Sequence, residues 1–234
     1  DLIVKQDRNE RKPRTKDILY FISTTDNYNI HTNITLDVET NLKILCEVLD
    51  YCRDSKIIFN FISSWFVYGE TNLPAKEEYY CNPTGFYSIT KKTAEDLLIS
   101  FCKTYGVKYR IIRLCNVLGA GDKNTSFKKN AISYMIDLLK KNEDVYLCDS
   151  GTLTRDIMHV IDVCKAIKLI CDDATINEIY NVGSGQPIQI GDIIWTAKKH
   201  LNSSSQIKFK DFPTSQVKNF WMDVGKLKKL GFMQ

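Results

Sequence analysis

Three side chains in the first half of the chain could together move a proton: the hydroxyl of Ser64, the phenol of Tyr87 and the amine of Lys91. A tyrosine has a pKa of about 10, and lowering it to near neutrality requires on the order of 4 kcal/mol. A lysine ammonium shielded from water can supply much of this energy, and a cationic cofactor ring can supply the rest. Tyr87 would then deprotonate an alcohol whose oxygen Ser64 holds in line with the phenol. Because a chain with 12 tyrosines shows a Tyr-x-x-x-Lys spacing by chance, the context of the pair decides its meaning.

The elements that must position these side chains alternate between strands and helices. Short apolar runs at residues 17–22, 56–62 and 109–114 predict buried strands. Apolar residues at helical spacing predict helices between them, near 36–53 and 86–105, and Gly106 ends the second helix. The alternation predicts an α/β fold with a parallel sheet that is covered by helices on both faces.

Polar residues follow each predicted strand of this sheet. In an open parallel sheet, ligands bind at the carboxyl ends of the strands, so Ser23, Ser64 and Asn116 would border one crevice. Tyr87 and Lys91 stand at i and i+4 on the next helix and can point into it together. The alternative is structural: an aromatic residue at a helix start, a solvated lysine and serines that cap a turn.

The composition excludes several classes of protein. A net charge of +4, from 32 basic and 28 acidic residues spread along the chain, argues against a nucleic-acid partner. The eight cysteines form no Cys-x-x-Cys pair, and the three histidines lack a second ligand at metal-binding spacing. We therefore expect reduced thiols and no metal site. No signal peptide and no apolar run of membrane-spanning length is present, which predicts a soluble, cytoplasmic protein without a membrane partner.

The pattern is less regular beyond residue 121. The sequence predicts four further helices and three further strands there: helices near 131–140, 163–171, 191–200 and 224–230, and strands near 145–147, 156–160 and 179–182. This half has the character of a smaller α/β lobe that leans on the sheet.

Several ordered motifs resemble the extended short-chain dehydrogenase/reductases, in particular the NAD-dependent epimerase/dehydratase family with its UDP-glucose 4-epimerase-like enzymes. The matching segments are residues 63–69, 83–95, 113–119, 155–163, 180–185 and 221–232. The resemblance implies a Rossmann-like domain over residues 1–120, to which residues 150–185 contribute, and a mainly substrate-binding lobe over 121–234. It also implies NAD as the cofactor, with NADP left open, a nucleotide-diphosphate sugar as the substrate, and a homodimer formed through helices 36–53 and 86–105.

The resemblance also implies a role for individual residues. Tyr87 would act as acid and base, Lys91 would lower its pKa and bind the nicotinamide ribose, and Ser64 would orient the sugar hydroxyl. Asn116 and Arg155 would contact the diphosphate, for which the planar guanidinium fork is suited. The cofactor would be bound by Asp1, Leu2, Ile22, Ser23, Thr24, Ile62, Ser63, Tyr87, Lys91 and Leu114.

Two departures from the family pattern shape the functional hypothesis. No Gly-x-Gly-x-x-Gly or Gly-x-x-Gly-x-x-Gly motif occurs among the 11 glycines, so we expect the phosphate-binding loop in a preceding segment of about 50 residues that is missing from this sequence. Trp65 and Phe66 stand where the family's sugar dehydratases have acidic residues, and neither can protonate a leaving hydroxyl.

The sequence therefore predicts an NAD-dependent nucleotide-sugar epimerase of the 4-epimerase type. A reductase, decarboxylase or dehydratase on the same scaffold is an alternative within the family. A catalytically inert protein that binds nucleotide-sugars or serves as a scaffold is an alternative of another class.

Overall fold

A computed structural model describes residues 3–26, 29–53, 56–120, 130–211 and 217–233. Asp1 and Leu2, which the resemblance assigns to the cofactor, lie outside the described residues. The strands, in chain order, are β1 (Asp17–Tyr20), β2 (Ile58–Ser64), β3 (Lys108–Leu114), β4 (Asn116–Leu118), β5 (Val145–Cys148), β6 (Thr154–Arg155), β7 (Ile157–His159), β8 (Glu178–Val182), β9 (Ile188–Gln189) and β10 (Ile207–Lys210). The helices are α1 (Leu36–Val38), α2 (Ile44–Asp50), α3 (Phe86–Tyr105), α4 (Ala131–Lys140), α5 (Val160–Asp173), α6 (Ile190–Leu201) and α7 (Gly225–Lys229), and a π-helical turn, Glu39–Lys43, joins α1 to α2.

The central sheet is parallel and has the strand order β1-β2-β3-β8. The predicted parallel sheet is thus confirmed, and the carboxyl ends of its strands meet along one edge. β1 is two residues shorter than the sequence predicts. The chain leaves the sheet at Phe21 because the Ser23 hydroxyl and the Thr24 amide both donate to Asn41 Oδ1, at 3.0 and 2.8 Å.

One face of the sheet packs against α2 and α3. Phe59, Phe61 and Ile111 point from the strands into a core that Leu45 of α2 and Leu98 of α3 complete, and all five side chains are buried. Burying side chains of this size contributes about 1.5–3 kcal/mol each. The helical stripes that the sequence predicts are therefore the faces that hold α2 and α3 on the sheet.

The opposite face packs against α5 and the end of the chain. Ile62 and Ile112, which alternate with the residues of the first face, meet Ile170 of α5. Phe220 and Met222 return from the C-terminal segment to the same cluster, and neither has any exposed surface. Helices therefore cover both faces of the sheet, as predicted.

A buried ion pair ties α3 to β3. Arg113 donates from Nε to Glu95 Oε1 at 3.0 Å and from one terminal nitrogen to Glu95 Oε2 at 2.7 Å. The two side chains are 2% and 0% exposed. Burial opposes the guanidinium charge, but the Glu95 carboxylate outweighs it and raises the pKa of Arg113. Gly106, in the left-handed region at φ 68°, ends α3 where the sequence predicts.

A second, smaller layer is formed by α4, α6 and the parallel pair β5 and β10. Leu139 of α4, Leu147 of β5 and Ile194 of α6 are buried together. The helices match the predicted ranges closely. β10 was not predicted from the sequence, although Ile207–Lys210 alternates apolar and polar residues, because the run is only four residues long.

The predicted strand at 156–160 is wrong in its bounds. β7 covers Ile157–His159, while Thr154–Arg155 forms a separate strand antiparallel to β9. Asp156 breaks the run because its carboxylate, fully buried, accepts hydrogen bonds from the Ser184, Gly185 and Met222 amides at 2.7, 3.1 and 3.1 Å. Helix α5 then begins at Val160, three residues earlier than predicted.

The eight cysteines are all free thiols. No helix among the described residues has both the length and the apolar character needed to cross a membrane. Within the same ranges, no three His, Cys, Asp or Glu side chains gather as a metal site would require.

Candidate active site

A cavity of about 660 Å³ lies at the carboxyl ends of β1, β2 and β3. Residues of α3 and, from the second layer, of α4 and β5 contribute to its lining. The predicted site residues that line it are Ser23, Thr24, Ile62, Ser63, Ser64, Tyr87, Lys91, Leu114, Asn116 and Arg155. Ile22 is not among the described residues that line the cavity, since its side chain packs into the core beneath α2 and α3.

The last two residues of β2 are serines that line this cavity. Ser64 caps the 3-10 turn Trp65–Tyr68, and its hydroxyl accepts the Phe66 amide at 3.4 Å. The preceding Ser63 is 3% exposed, and its hydroxyl has no hydrogen-bond partner among the described residues. A buried hydroxyl without a partner costs about 1–3 kcal/mol, so Ser63 is a group that a bound molecule can satisfy.

Tyr87 lies in the first turn of α3, between the ends of β1 and β2. Burial raises the pKa of its phenol, whereas the hydrogen bonds that link it to Ser64 and Ser23 lower the pKa. The Asp37 carboxylate raises it further. The protein groups described here therefore hold Tyr87 protonated, and the expected lowering of its pKa by Lys91 is not seen in the chain alone.

Lys91 stands one turn further along α3 and is 2% exposed. Its ammonium donates to the Ile62 carbonyl at 2.7 Å and lies 4.2 Å from the centre of the Phe61 ring. Burial lowers the pKa of Lys91 to about 7, and the Glu95 carboxylate opposes this change. The amine is thus poised to exist in both protonation states near neutrality, which is the condition for exchanging a proton with a neighbouring group.

A buried polar network that the sequence did not reveal supports the β1 side of the cavity. Asn41 Nδ2 donates to Thr90 Oγ1 of α3 at 2.9 Å, and Thr24 Oγ1 donates to Asp37 Oδ1 at 2.5 Å. Asp37 and Asn41 are 1% and 2% exposed. The network joins β1, the α1–α2 segment and α3, so it fixes where Ser23 and Tyr87 stand relative to each other.

Arg155 and Asn116 also line the cavity. Arg155 donates to the Val217 and Lys218 carbonyls at 2.9 and 2.7 Å, and its guanidinium lies 5.3 Å from the centre of the Trp65 ring. Asn116 donates from its backbone and from Nδ2 to the Asp156 carbonyl, at 3.1 and 3.2 Å. The structure thus brings both residues to the cavity that holds Tyr87.

An aromatic wall, defined here as Trp65, Phe66 and Phe220, contacts Tyr87 at one end and Arg155 at Trp65. Trp65 stacks between Phe66 and Phe220, with ring centres 4.1 and 4.6 Å away. The Phe66 ring meets the Tyr87 ring edge-on, at 5.9 Å. The sequence indicated that Trp65 and Phe66 lack protons to give, but Phe220 was missed because it lies far away in the chain.

Chemically, this arrangement suits an alcohol that exchanges a proton with Tyr87. A hydroxyl bound between Ser64 and Tyr87 would be held in line with the phenol, and the adjacent Lys91 could relay charge. The side of the cavity near Arg155 offers a guanidinium that can bind an anion in two places.

The fold and the site define an α/β protein with a Rossmann-like sheet. Comparison with known protein families then identifies its family. The model of the NAD dependent epimerase/dehydratase family matches residues 18–183 of this chain. The chain belongs to this family. The resemblance that the sequence motifs indicated is therefore confirmed.

Among curated proteins, the chain is similar to a putative UDP-glucose 4-epimerase of Methanocaldococcus jannaschii. The two are 26% identical over 230 residues, which covers 95% of this chain and 74% of that protein. The sequence similarity thus extends over both the sheet and the second layer.

Solved structures show the same fold. A UDP-glucose 4-epimerase from Thermotoga maritima with UDP-glucose superimposes with a TM-score of 0.85 at 21% identity, over 94% of this chain and 72% of that one. A UDP-glucuronic acid 4-epimerase from Bacillus cereus, in complex with UDP-glucuronic acid and NAD, gives a TM-score of 0.84 at 22% identity, over 92% and 68%. The predicted fold class is confirmed.

The residues at the β2 end of the cavity fit the nicotinamide-ribose part of NAD, the cofactor of this family. Ser63 presents a buried hydroxyl without a partner, and the Ile62 carbonyl next to it already holds Lys91. A ribose carries hydroxyls that can both donate to Ser63 and accept from Lys91. Ser23 and Thr24 stand at the neighbouring strand end and line the same cavity.

Proposed function

We propose that this chain carries the active site of an NAD-dependent nucleotide-sugar epimerase of the 4-epimerase type. The observation that carries the proposal is the pairing of Tyr87 with Ser64 beside a buried Lys91, in a cavity that also holds Asn116 and Arg155. The curated relative named a putative UDP-glucose 4-epimerase, which is similar over 95% of this chain, supports the same reaction class.

In this proposal Tyr87 removes the proton from a sugar hydroxyl and later returns one. NAD, when bound, supplies a hydride acceptor that takes hydrogen from the sugar carbon and gives it back to the opposite face. Ser64 holds the reacting oxygen against the phenol. Because burial raises the pKa of Tyr87 and Lys91 does not lower it in the chain alone, ionisation of the phenol would need the positive charge of the bound nicotinamide in addition to that of protonated Lys91.

Arg155 and Asn116 would bind the diphosphate of the substrate. The guanidinium already lies over the Trp65 ring and is held by backbone carbonyls, so its plane is oriented before a ligand arrives. A diphosphate can accept from the same donors that now contact the Val217 and Lys218 carbonyls. We assign residues 1–120, with 150–185, to cofactor binding and residues 121–234 mainly to substrate binding.

Elimination of water is disfavoured at this site. A dehydratase needs an acidic group beside the catalytic hydroxyl to protonate the departing oxygen. Trp65 and Phe66 follow Ser64 directly and stack on one another. An aromatic pair in this position supports epimerisation over dehydration.

We also propose that the protein acts as a homodimer in the cytoplasm. The π-helical turn with its flanking helices and α3 leave apolar side chains exposed, among them Tyr51, Leu97 and Tyr105. Two such helices on each copy could bury this surface together. The eight free thiols suit a reducing compartment. Light scattering of the full-length protein measures the oligomeric state directly.

The test of the reaction is Tyr87→Phe in the full-length gene product, supplied with NAD and UDP-glucose. Removing the phenolic oxygen should lower the rate of interconversion with UDP-galactose by at least about 1,000-fold while leaving the thermal unfolding temperature unchanged. Tyr80→Phe, at a position that is 85% exposed and is not among the described residues lining the cavity, is the control and should keep the wild-type rate. Retention of more than a tenth of the activity by Tyr87→Phe would contradict the proposed role.

A further inference from the structure

We infer that the aromatic wall makes this site select neutral hexoses over hexuronates, with Phe66 as the residue that determines the preference. The inference rests on the proposed function and goes beyond it, because the chemistry at Ser64 and Tyr87 is compatible with either sugar. What differs is the group on carbon 6, which is a hydroxymethyl in one class and a carboxylate in the other.

Phe66 must lie close to the reacting part of the sugar. Its amide donates to Ser64 Oγ at 3.4 Å, and its ring centre lies 5.9 Å from that of Tyr87. A sugar whose 4-hydroxyl is bound by Ser64 and Tyr87 is therefore within reach of the Phe66 ring. Carbon 6 is only two bonds away from carbon 4, so its substituent is held in the same region.

Phe66 cannot turn aside easily to admit a different group. Trp65 stacks on it with ring centres 4.1 Å apart, and Phe220 covers the other side of Trp65. Trp65 and Phe220 are 3% and 0% exposed. The wall is thus continuous with the core of the sheet, and Phe66 is its face toward the cavity.

No cation among the described residues that line the cavity is placed to receive a sugar carboxylate. Lys91 and Arg155 are the charged side chains of this lining. Lys91 donates to the Ile62 carbonyl and lies 4.2 Å from the centre of the Phe61 ring. Arg155 donates to the Val217 and Lys218 carbonyls, and its guanidinium lies over the Trp65 ring. In the proposed function Lys91 is committed to the ribose and Arg155 to the diphosphate, so neither is left to pair with a sugar carboxylate beside Phe66.

The two sugar classes should therefore bind differently. A carboxylate that enters this region leaves water for an aromatic ring and gains no ionic partner from the described lining, which is strongly unfavourable. A hydroxymethyl group carries no charge, and the apolar C–H face of a hexose can pack against an aromatic ring. We expect a preference of about 100-fold for the neutral sugar.

The test measures two ratios with the full-length protein in the presence of NAD. Dissociation constants of UDP-glucose and UDP-glucuronate are determined by calorimetry, and kcat/KM is determined for the 4-epimerisation of each. Wild type should bind and convert UDP-glucose about 100-fold better. Phe66→Arg, which supplies a cation at the wall, should reduce the preference to about 10-fold or less. Phe209→Arg, at an exposed position on β10, should leave it unchanged.

The outcomes separate this inference from the proposed function. A wild-type preference below threefold, or in favour of UDP-glucuronate, overturns the inference even if both sugars are epimerised. The same holds if Phe66→Arg keeps the wild-type ratio, or if neither sugar binds. If binding shows the preference but neither sugar is epimerised, the inference stands and the proposed reaction fails. If Phe66→Arg does not fold, Phe66→Thr replaces it, since threonine removes the ring without adding charge. This variant should lower the preference for UDP-glucose over UDP-glucuronate about 10-fold.

Discussion

Replacing Lys91 with methionine should stabilise the fold, by an amount that depends on pH. The amine is 2% exposed, and burial is the main cause that lowers its pKa from 10.5 to about 7. Its hydrogen bond to the Ile62 carbonyl and its contact with the Phe61 ring do not offset this burial. Methionine has a similar length and needs no hydration, so the variant removes the charge and keeps most of the packing.

The size and the sign of this change in the free energy of unfolding follow from the linkage between protonation and folding. A pKa that falls from 10.5 to about 7 corresponds to a cost of about 5 kcal/mol for the protonated amine. Below about pH 7 the amine is protonated in both states, so the folded state carries the whole cost. Between about pH 7 and 10.5 the unfolded chain binds the proton that the folded state has released, so wild-type stability rises with pH.

The expected difference is therefore large at low pH and small at high pH. Methionine leaves the Ile62 carbonyl without this donor, which costs about 1 kcal/mol. Discounting the pKa change for structural relaxation, we expect Lys91→Met to be about 2–4 kcal/mol more stable than wild type near pH 6.5 and about equal to it near pH 10. The stabilised variant should also lose turnover, because the proposed mechanism needs the Lys91 charge beside Tyr87.

Urea unfolding followed by tryptophan fluorescence at both pH values measures this difference. The comparison between wild type and variant at one pH cancels the other titrating groups, and the midpoint near pH 6.5 should rise by roughly 1 M. Lys92→Met is the matched control, since the next residue on α3 pairs with Asp96 at the surface, and it should change stability by less than about 1 kcal/mol. If the difference in the free energy of unfolding between Lys91→Met and wild type were the same at both pH values, the reasoning would be refuted.

Two further substitutions test the contacts that hold the site in place. Glu95→Gln leaves the Arg113 charge buried without its carboxylate and should lower the free energy of unfolding in urea by about 3–5 kcal/mol. Asp96→Asn changes an exposed neighbour and should lower it by less than about 1 kcal/mol. Similar losses for the two variants would show that burial of the ion pair is unimportant. Gly183→Ala would place a methyl group 2.6 Å from an Asp156 carboxylate oxygen and should lower the thermal unfolding temperature by about 4–10 °C. Ser184→Ala, which removes one hydrogen bond to the same carboxylate, should have a smaller effect of about 2–4 °C, and a reversed order would contradict the close-packing argument.

The elements that carry the site were predictable because each has a strong one-sided pattern. β2, β3 and α3 present apolar residues at strand or helix spacing, and their buried faces are those that the sequence indicates. Gly106 ends α3 at a left-handed residue, as its type predicts. The side chains that follow these strands then had to meet, since parallel strands end at one edge.

The surroundings of those side chains could not be predicted in the same way. Asp37 and Asn41 are polar residues on a helical segment, where exposure is the ordinary outcome, and their burial depends on Thr24 and Thr90 from two other elements. Arg155 finds its carbonyl partners 62 and 63 residues further along the chain. No local periodicity carries such information, because these contacts exist only once the layers have packed.

Lys91 and Glu95 together set the distance between Tyr87 and Ser64. They stand one turn apart on α3, yet Lys91 binds the Ile62 carbonyl of β2 and Glu95 binds Arg113 of β3. A slide of α3 by a single residue, about 1.5 Å, would break both attachments at once. The separation of Tyr87 from Ser64 is therefore fixed by the register of one helix on two strands.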